Sequence, residues 1–264
     1  MTQITDFNDL QDRYTHIYLS PHLDDAVLSC GGAIVGHRRA GEQVLVVTLC
    51  TAAPPTEGPF SPLAQEFHRE WALPPDQVVA ARLREEAMAM ERVDVDYYWA
   101  GMLDAIYRYP EPYHSFETLF GAPAVDDPLA DDLREWIEQL QRRVPNARFY
   151  APLGVGRHVD HLITHVVARD SLADRVAFYE DFPYVTVEGA LNQRMSHIDQ
   201  ALEHETIVID STLEQKIVAI DAYASQLNIL FGGSVAMAQS VTNYAQSLNP
   251  VDGTYAERLW CVAQ

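Results

Sequence analysis

Positive charge is what this chain has least of. Against 38 acidic residues it carries 18 Lys and Arg, a formal net charge of −20 over 264 residues. Nucleic acids and anionic membrane surfaces are gripped by basic patches that neutralise phosphates, so neither is an expected partner. A small, largely uncharged substrate suits this balance better. Cysteine is scarce too: Cys30, Cys50 and Cys261 are odd in number, far apart and set among apolar neighbours. That argues against a disulfide framework or a thiolate metal site and predicts reduced core thiols. No apolar run approaches the ~20 residues of a membrane span. Met1-Thr2-Gln3-Ile4-Thr5-Asp6 lacks the basic-then-apolar order of a leader, and the expected location is the cytoplasm. Internal repeats, low-complexity tracts and linkers are missing as well. At 48% hydrophobic the chain can bury a full core, so a single domain over 1–264 is expected, with a core at about 14–185 and a C-terminal extension at about 186–264.

What is present reads as strand and helix in alternation. An apolar run at 16–20 is followed by a helical pattern at about 26–39, then by a β-branched run at 43–49 that is apolar on both faces, the mark of a buried parallel strand. Helix 78–92, strand 96–100, helix 129–143, strand 148–153, helix 160–172 and strand 175–181 continue the series. This is an α/β, Rossmann-like, mostly parallel sheet flanked by helices. Two irregular insertions interrupt it over the C-terminal edge of the sheet. One, at 51–75, is rich in proline (Pro54, Pro55, Pro59, Pro62, Pro74, Pro75), and the other, at 109–127, carries Tyr113, His114, Phe116 and Phe120. Beyond 185 the pattern gives a helix at about 191–202, a strand at 205–210, a helix at 213–225 and a looser end containing Gly232-Gly233.

The densest chemistry lies where strand 16–20 stops, in Ser20-Pro21-His22-Leu23-Asp24-Asp25. Open α/β sheets bind ligands outside the carboxyl ends of their strands. His22 and Asp25, three apart, aim an imidazole nitrogen and a carboxylate oxygen at a common point, the donor types of a hydrolytic zinc site. A third donor is offered downstream in Arg157-His158-Val159-Asp160-His161, again after an apolar run and again opening a helix. The set His22, Asp25 and His161 leaves one position open for water, as a catalytic zinc site requires; iron(II) accepts similar donors. Asp24, unable to point the same way as Asp25, is the expected general base and later acid. His158, one turn from His161, is the expected oxyanion stabiliser, and Asp160 is expected to orient a histidine. His165, four beyond His161, lies a turn deeper in the helix and is read as structural.

Pro21-His22-Leu23-Asp24-Asp25 together with His158-Val159-Asp160-His161 resembles the LmbE/PIG-L family of zinc-dependent N-acetylglucosaminyl deacetylases, whose signatures are PHxDD and HxDH. The resemblance covers roughly the first 185 residues. It implies that His22, Asp25 and His161 bind the metal, that Asp24 is the base and that His158 is the electrophilic catalyst, in agreement with the chemistry above. It further implies a hydrolase that removes an N-acyl group, an acetyl in the first instance, from a small amino-sugar conjugate. Asp104, Arg84 and Arg108 are the expected substrate contacts.

Three departures stand out. Many members have Glu where this chain has Ala26. Members of the mycothiol pathway have Tyr where this chain has Gly156, so a tyrosine role would fall to Tyr179 or Tyr107. The membrane-anchored eukaryotic members carry a segment that this sequence lacks. The wording of 21–32 and 103–108 is closest to bacterial members, including those linked to glycopeptide-antibiotic deacylation. An amidase for a longer or non-sugar acyl group and a non-catalytic ligand-binding protein are the rival readings, and the sequence leaves a homo-oligomer open.

Overall fold

The computed structural model describes residues 1–54, 60–70, 75–249 and 253–263. In chain order its strands and α-helices are β1 (Gln3–Ile4), β2 (His16–Ser20), α1 (Asp25–Arg39), β3 (Val44–Cys50), α2 (Pro62–Glu70), α3 (Pro75–Val93), β4 (Asp96–Met102), α4 (Ala105–Arg108), α5 (Phe116–Leu119), α6 (Leu129–Arg143), β5 (Arg148–Pro152), α7 (Val159–Leu172), β6 (Val176–Tyr179), α8 (Ala190–Met195), β7 (Leu202–Val208), α9 (Leu213–Ile220), α10 (Ala224–Phe231), α11 (Ser234–Ser247) and β8 (Ala256–Val262).

The eight strands form one sheet in the order β1-β4-β3-β2-β5-β6-β8-β7. Every pairing from β1 to β6 is parallel; β8 runs antiparallel to both β6 and β7. Every residue of β3 is buried, which fits a central strand covered by helices on both faces. From β2 the chain moves one way to β3 and β4, then returns to lay β5 on the other side of β2. The strand order therefore reverses between β2 and β5, and the crevice of such a switch point is where doubly wound sheets hold ligands. The loops leaving those two strands carry His22 and His158.

Several expectations need correction. The proline-rich excursion 51–75 is not wholly irregular: it contains α2, with Pro62 as its first residue, where a missing N–H costs the helix nothing. Residues 55–59 and 71–74 of that stretch lie outside the described residues. The second insertion contains α5, whose Ser115 and Thr118 form a reciprocal capping box. In the C-terminal third, one expected helix at 213–225 is two, α9 and α10, and the looser end holds α11 and the strand β8. β8 is held in place by charge. Glu257 accepts from Lys216 Nζ at 2.7 Å and from the backbone of Gly32 and Ala33 at 2.9 and 2.8 Å. Gly32 is necessary for that approach, because a Cβ there would come within 2.7 Å of Ile209.

Candidate metal centre and its cavity

Three donor atoms converge at the switch point. His22 Nδ1 lies 3.4 Å from Asp25 Oδ2, His161 Nε2 lies 3.2 Å from the same oxygen, and the two ring nitrogens are 3.2 Å apart. Ligands about 2.0–2.1 Å from a tetrahedral ion are separated by about 3.3–3.4 Å along each edge, so this triangle has the size of one face of a zinc site. The hydrogen bonds behind it set the tautomers that binding needs. His22 donates Nε2–H to Asp160 Oδ2 at 3.0 Å, and His161 donates Nδ1–H to Asp181 Oδ1 at 2.7 Å. Each imidazole thus turns its other nitrogen towards Asp25. Asp181 is fixed in turn by the backbone N–H groups of Gly154 and Val155, both at 2.7 Å.

Electrostatics favour positive charge at this point. Burial works against ionising Asp25, yet His161 and His22 hold its carboxyl far below the usual range. His161 is pushed up to about 9, its desolvation outweighed by Asp25 and Asp181. His22 is raised as well, against burial, by Asp160 and Asp25. Imidazoles that keep their protons so firmly among carboxylates mark a place where a cation is stabilised. The donor set, the edge lengths and the second row of hydrogen bonds all fit a zinc-type ion.

His158 and Asp24 flank the triangle and both line the adjoining cavity. His158 caps α7, its Nδ1 accepting the N–H of Asp160 at 3.2 Å. That leaves Nε2–H as its free donor, and burial together with neighbouring His22 keeps the ring neutral. Asp24 has φ +130°, a backbone conformation that costs a non-glycine residue about 1–3 kcal/mol and clusters at functional sites. The twist separates its carboxylate from that of Asp25. Burial raises the Asp24 carboxyl to about 8; Arg82, with Nη2 3.5 Å away, pulls it down and Asp25 pushes it up. His158 also groups with His22, Asp104 and Asp160 within 4.8 Å. In that second set, however, both Asp160 oxygens are already taken by Arg108, His22 and the N–H of Ala105.

The cavity holds about 240 Å³. Beside the polar groups of the triangle and its neighbours, its lining includes an apolar set: Phe67 from α2, Phe116 and Phe120 from the second insertion, and Ile229 and Leu230 from α10. Asp104 lines it, with Oδ1 capping Ile106 N at 3.1 Å and Oδ2 3.5 Å from His22 Nε2. Two expected contacts are not there. Arg84 is exposed and turned away; Arg82, about 200° around the helix from it at ~100° per residue, lines the cavity instead. Arg108 is buried behind the site, bonded to Asp127 and Asp160.

The tyrosine expectation also changes. Tyr179 donates to Leu19 O and Tyr107 pairs with His68, so both hydroxyls are occupied. The tyrosine of the cavity is Tyr184, and it needs Gly156: a Cβ at 156 would come 2.6 Å from Tyr184 Cγ, and the φ there is +87°. Tyr184, Arg82 and Gln226, which line the cavity, and Asp181, which holds His161, are not among the expected site residues. The polar cluster ending strand β6 is the visible sign of Tyr184 and Asp181.

Residues 17–172 match the family described as PIG-L, GlcNAc-PI de-N-acetylase. A 2'-N-acetylparomamine deacetylase of Streptomyces fradiae is 28% identical over 187 residues, 67% of this chain, and the match spans 60% of that protein's length. One of the same name from Niallia circulans is 30% identical over 191 residues, 66% of this chain and 69% of that protein. Among solved structures, the zinc-inhibited form of the teicoplanin deacetylase Orf2 superposes with a TM-score of 0.77 at 27% identity, over 94% of this chain and 98% of that one. The fold, the converging triad and these matches agree, and the chain belongs to the PIG-L family.

Proposed function

We propose that this chain hydrolyses the N-acetyl amide of an amino-sugar conjugate, with zinc as its metal. The observation that carries the reading is the triangle of His22 Nδ1, Asp25 Oδ2 and His161 Nε2, with edges of 3.2–3.4 Å. Zinc bound by these three residues would polarise the amide carbonyl and lower the pKa of water towards ~7. Asp24, lining the cavity with a raised carboxyl, takes a proton from the attacking water and returns it to the departing amine. His158, neutral with Nε2–H free, donates to the developing oxyanion. Asp160 fixes the ring of His22, and Asp181 that of His161. Asp104 and Arg82 contact the sugar, and Tyr184 with the phenylalanine wall packs on its apolar face.

The acetylparomamine and teicoplanin deacetylases among the relatives support an amino-sugar conjugate as the substrate class. Residues 1–264 act as one domain, the C-terminal extension supplying Gln226, Ile229 and Leu230 to the cavity. The charge of −20 supports a small-molecule substrate, met in the cytoplasm, over a nucleic acid or an anionic membrane surface. Among the described residues no helix is long and apolar enough to cross a membrane. The apolar part of the lining favours, as a second reading, a longer acyl chain on the same amide.

The test is amine release from N-acetylglucosamine conjugates and longer N-acyl analogues, assayed before chelation, after it and after zinc is restored. Chelator-sensitive, zinc-restored release of acetate is the expected result. Release only from long-chain analogues selects the second reading, and no release from zinc-loaded protein overturns both.

A further inference from the structure

Behind the metal triad a buried chain of charge continues past Asp160, beyond the residues that the proposed chemistry uses. It starts at His22, whose Nε2–H donates to Asp160 Oδ2 at 3.0 Å. The other oxygen of Asp160 accepts from Arg108 Nη2 at 2.6 Å. Arg108 continues outward with a two-pronged grip on Asp127, Nε to Oδ1 at 2.8 Å and Nη2 to Oδ2 at 2.9 Å. Asp127 in turn accepts from the Tyr113 hydroxyl at 2.7 Å, and that hydroxyl accepts the N–H of Ala124 at 2.9 Å. The side chains of Arg108, Asp127 and Asp160 are 7, 1 and 0% exposed, so solvent screens these contacts very little. Tyr113, Ala124 and Asp127 belong to the second insertion, the segment that also brings Phe116 and Phe120 to the cavity wall.

We propose that Arg108 is a positioning residue that couples the second insertion to the metal centre through Asp160. The inference rests on the reading of His22 as a metal ligand. Without Arg108, Asp160 would lose the grip on its Oδ1 and be free to rotate. That rotation would loosen the ring that presents Nδ1. Partners behind metal-binding histidines typically account for about 10–100-fold in metal affinity. A rigid fork suits the task because the guanidinium addresses two carboxylates with fixed geometry, which a lysine ammonium cannot do. Coupling of this kind is reciprocal: if the insertion steadies His22, metal binding steadies the insertion. Whatever fills the cavity against Phe116 and Phe120 would then be felt at the metal ligands.

Two readouts other than turnover test this. Zinc affinity is measured by chelator competition on wild type, R108K and R108Q. Backbone hydrogen exchange over 111–127 is followed in wild type with and without zinc. R108Q should bind zinc about 10–100-fold more weakly, with R108K intermediate because it keeps a cation beside Asp160, and zinc should slow exchange over 111–127. A role confined to stability would lower the melting temperature and leave zinc affinity in the folded variants unchanged. If R108Q does not fold, R108K carries the comparison. Wild-type zinc affinity in a folded Arg108 variant, or exchange over 111–127 indifferent to zinc in wild type, overturns the inference while leaving the ligand reading in place. A wild-type protein that binds no zinc overturns both.

Discussion

Asp24 and Asp25 are neighbours in sequence with opposite chemistry, and a single backbone torsion divides them. The φ of +130° at Asp24 turns its carboxylate away from the start of α1, while Asp25 enters the helix and meets both histidines. One carboxyl is raised to about 8 by burial and the other is held far below its ordinary range by imidazole partners. Environments that push apart the pKa values of two adjacent acids are how sites assign base and ligand. Asp24→Asn should therefore retain zinc at wild-type stoichiometry while kcat falls by at least about 10²–10⁴, the usual contribution of a general base. Metal analysis of the purified variant beside its turnover is the check, and loss of zinc in parallel with activity would make Asp24 a ligand instead. At this scale the motif residues were legible because donor chemistry and spacing are written in the sequence. Arg82 was not: choosing it over Arg84 requires knowing which face of α3 meets the sheet. The pairing of Arg108 was hidden for a related reason, since its partner Asp127 is 19 positions away across an insertion.

Gly156 shows how an element makes room for a side chain from another. The loop leaving β5 has positive φ at Gly154, Gly156 and Arg157, and the missing Cβ at 156 admits the ring of Tyr184 from the loop after β6. Gly156→Ala asks for a left-handed conformation that costs a residue with a Cβ roughly 1–2 kcal/mol and places a methyl 2.6 Å from Tyr184 Cγ. The expected outcome is a loss of about 1–3 kcal/mol in urea-denaturation stability, from strain and displaced packing together, with a raised KM for the proposed amino-sugar substrate. An unchanged KM in the folded variant would mean that Tyr184 does not touch substrate. Between 16 and 181, outside the short helices α2, α4 and α5, the strands and helices were legible because hydrophobic periodicity survives wherever a helix or strand buries one face. β8 was not, because Glu257 and Arg258 interrupt its apolar pattern, and those charges are answered only in three dimensions, by Lys216 and Glu180. α11 has Ser, Thr, Asn and Gln in half its positions, and its buried face, Met237, Val241 and Ala245, is a narrow stripe that this polar composition masks. In α2 the surrounding prolines concealed an amphipathic helix that proline itself begins.

Over the whole molecule, acid stability separates groups that work in opposite directions, and His165 isolates one of them. It sits on α7 one turn beyond His161, with its ring 4.2 Å from that of Phe178 between centroids and Nδ1–H donated to Pro152 O at 3.1 Å. Burial lowers it to about 3, whereas an unfolded histidine titrates near 6.5. Between those values the unfolded chain binds a proton that the native protein refuses. Its contribution to stability is therefore fully present above about pH 6.5 and is lost progressively as pH falls towards 3. Every tenfold difference in proton affinity between the two states is worth about 1.4 kcal/mol. Glu86, raised to about 7 by burial despite its bonds to Tyr223 and Thr48, acts in the other sense. The native state holds its proton more tightly, so stability falls as pH rises from the ordinary carboxyl range to 7. Wild-type stability alone would report the sum of the two. The difference between wild type and His165→Gln removes Glu86 and every other shared group. Glutamine keeps a donor for Pro152 O and cannot titrate, so the variant should be less stable than wild type at pH 7.5 and lose less stability on going to pH 5. Urea denaturation of zinc-free protein at both pH values measures this. Parallel losses in the two proteins would mean that His165 is protonated in the native state, and that the space around its ring is wetter than its contacts with Phe178 and Pro152 imply.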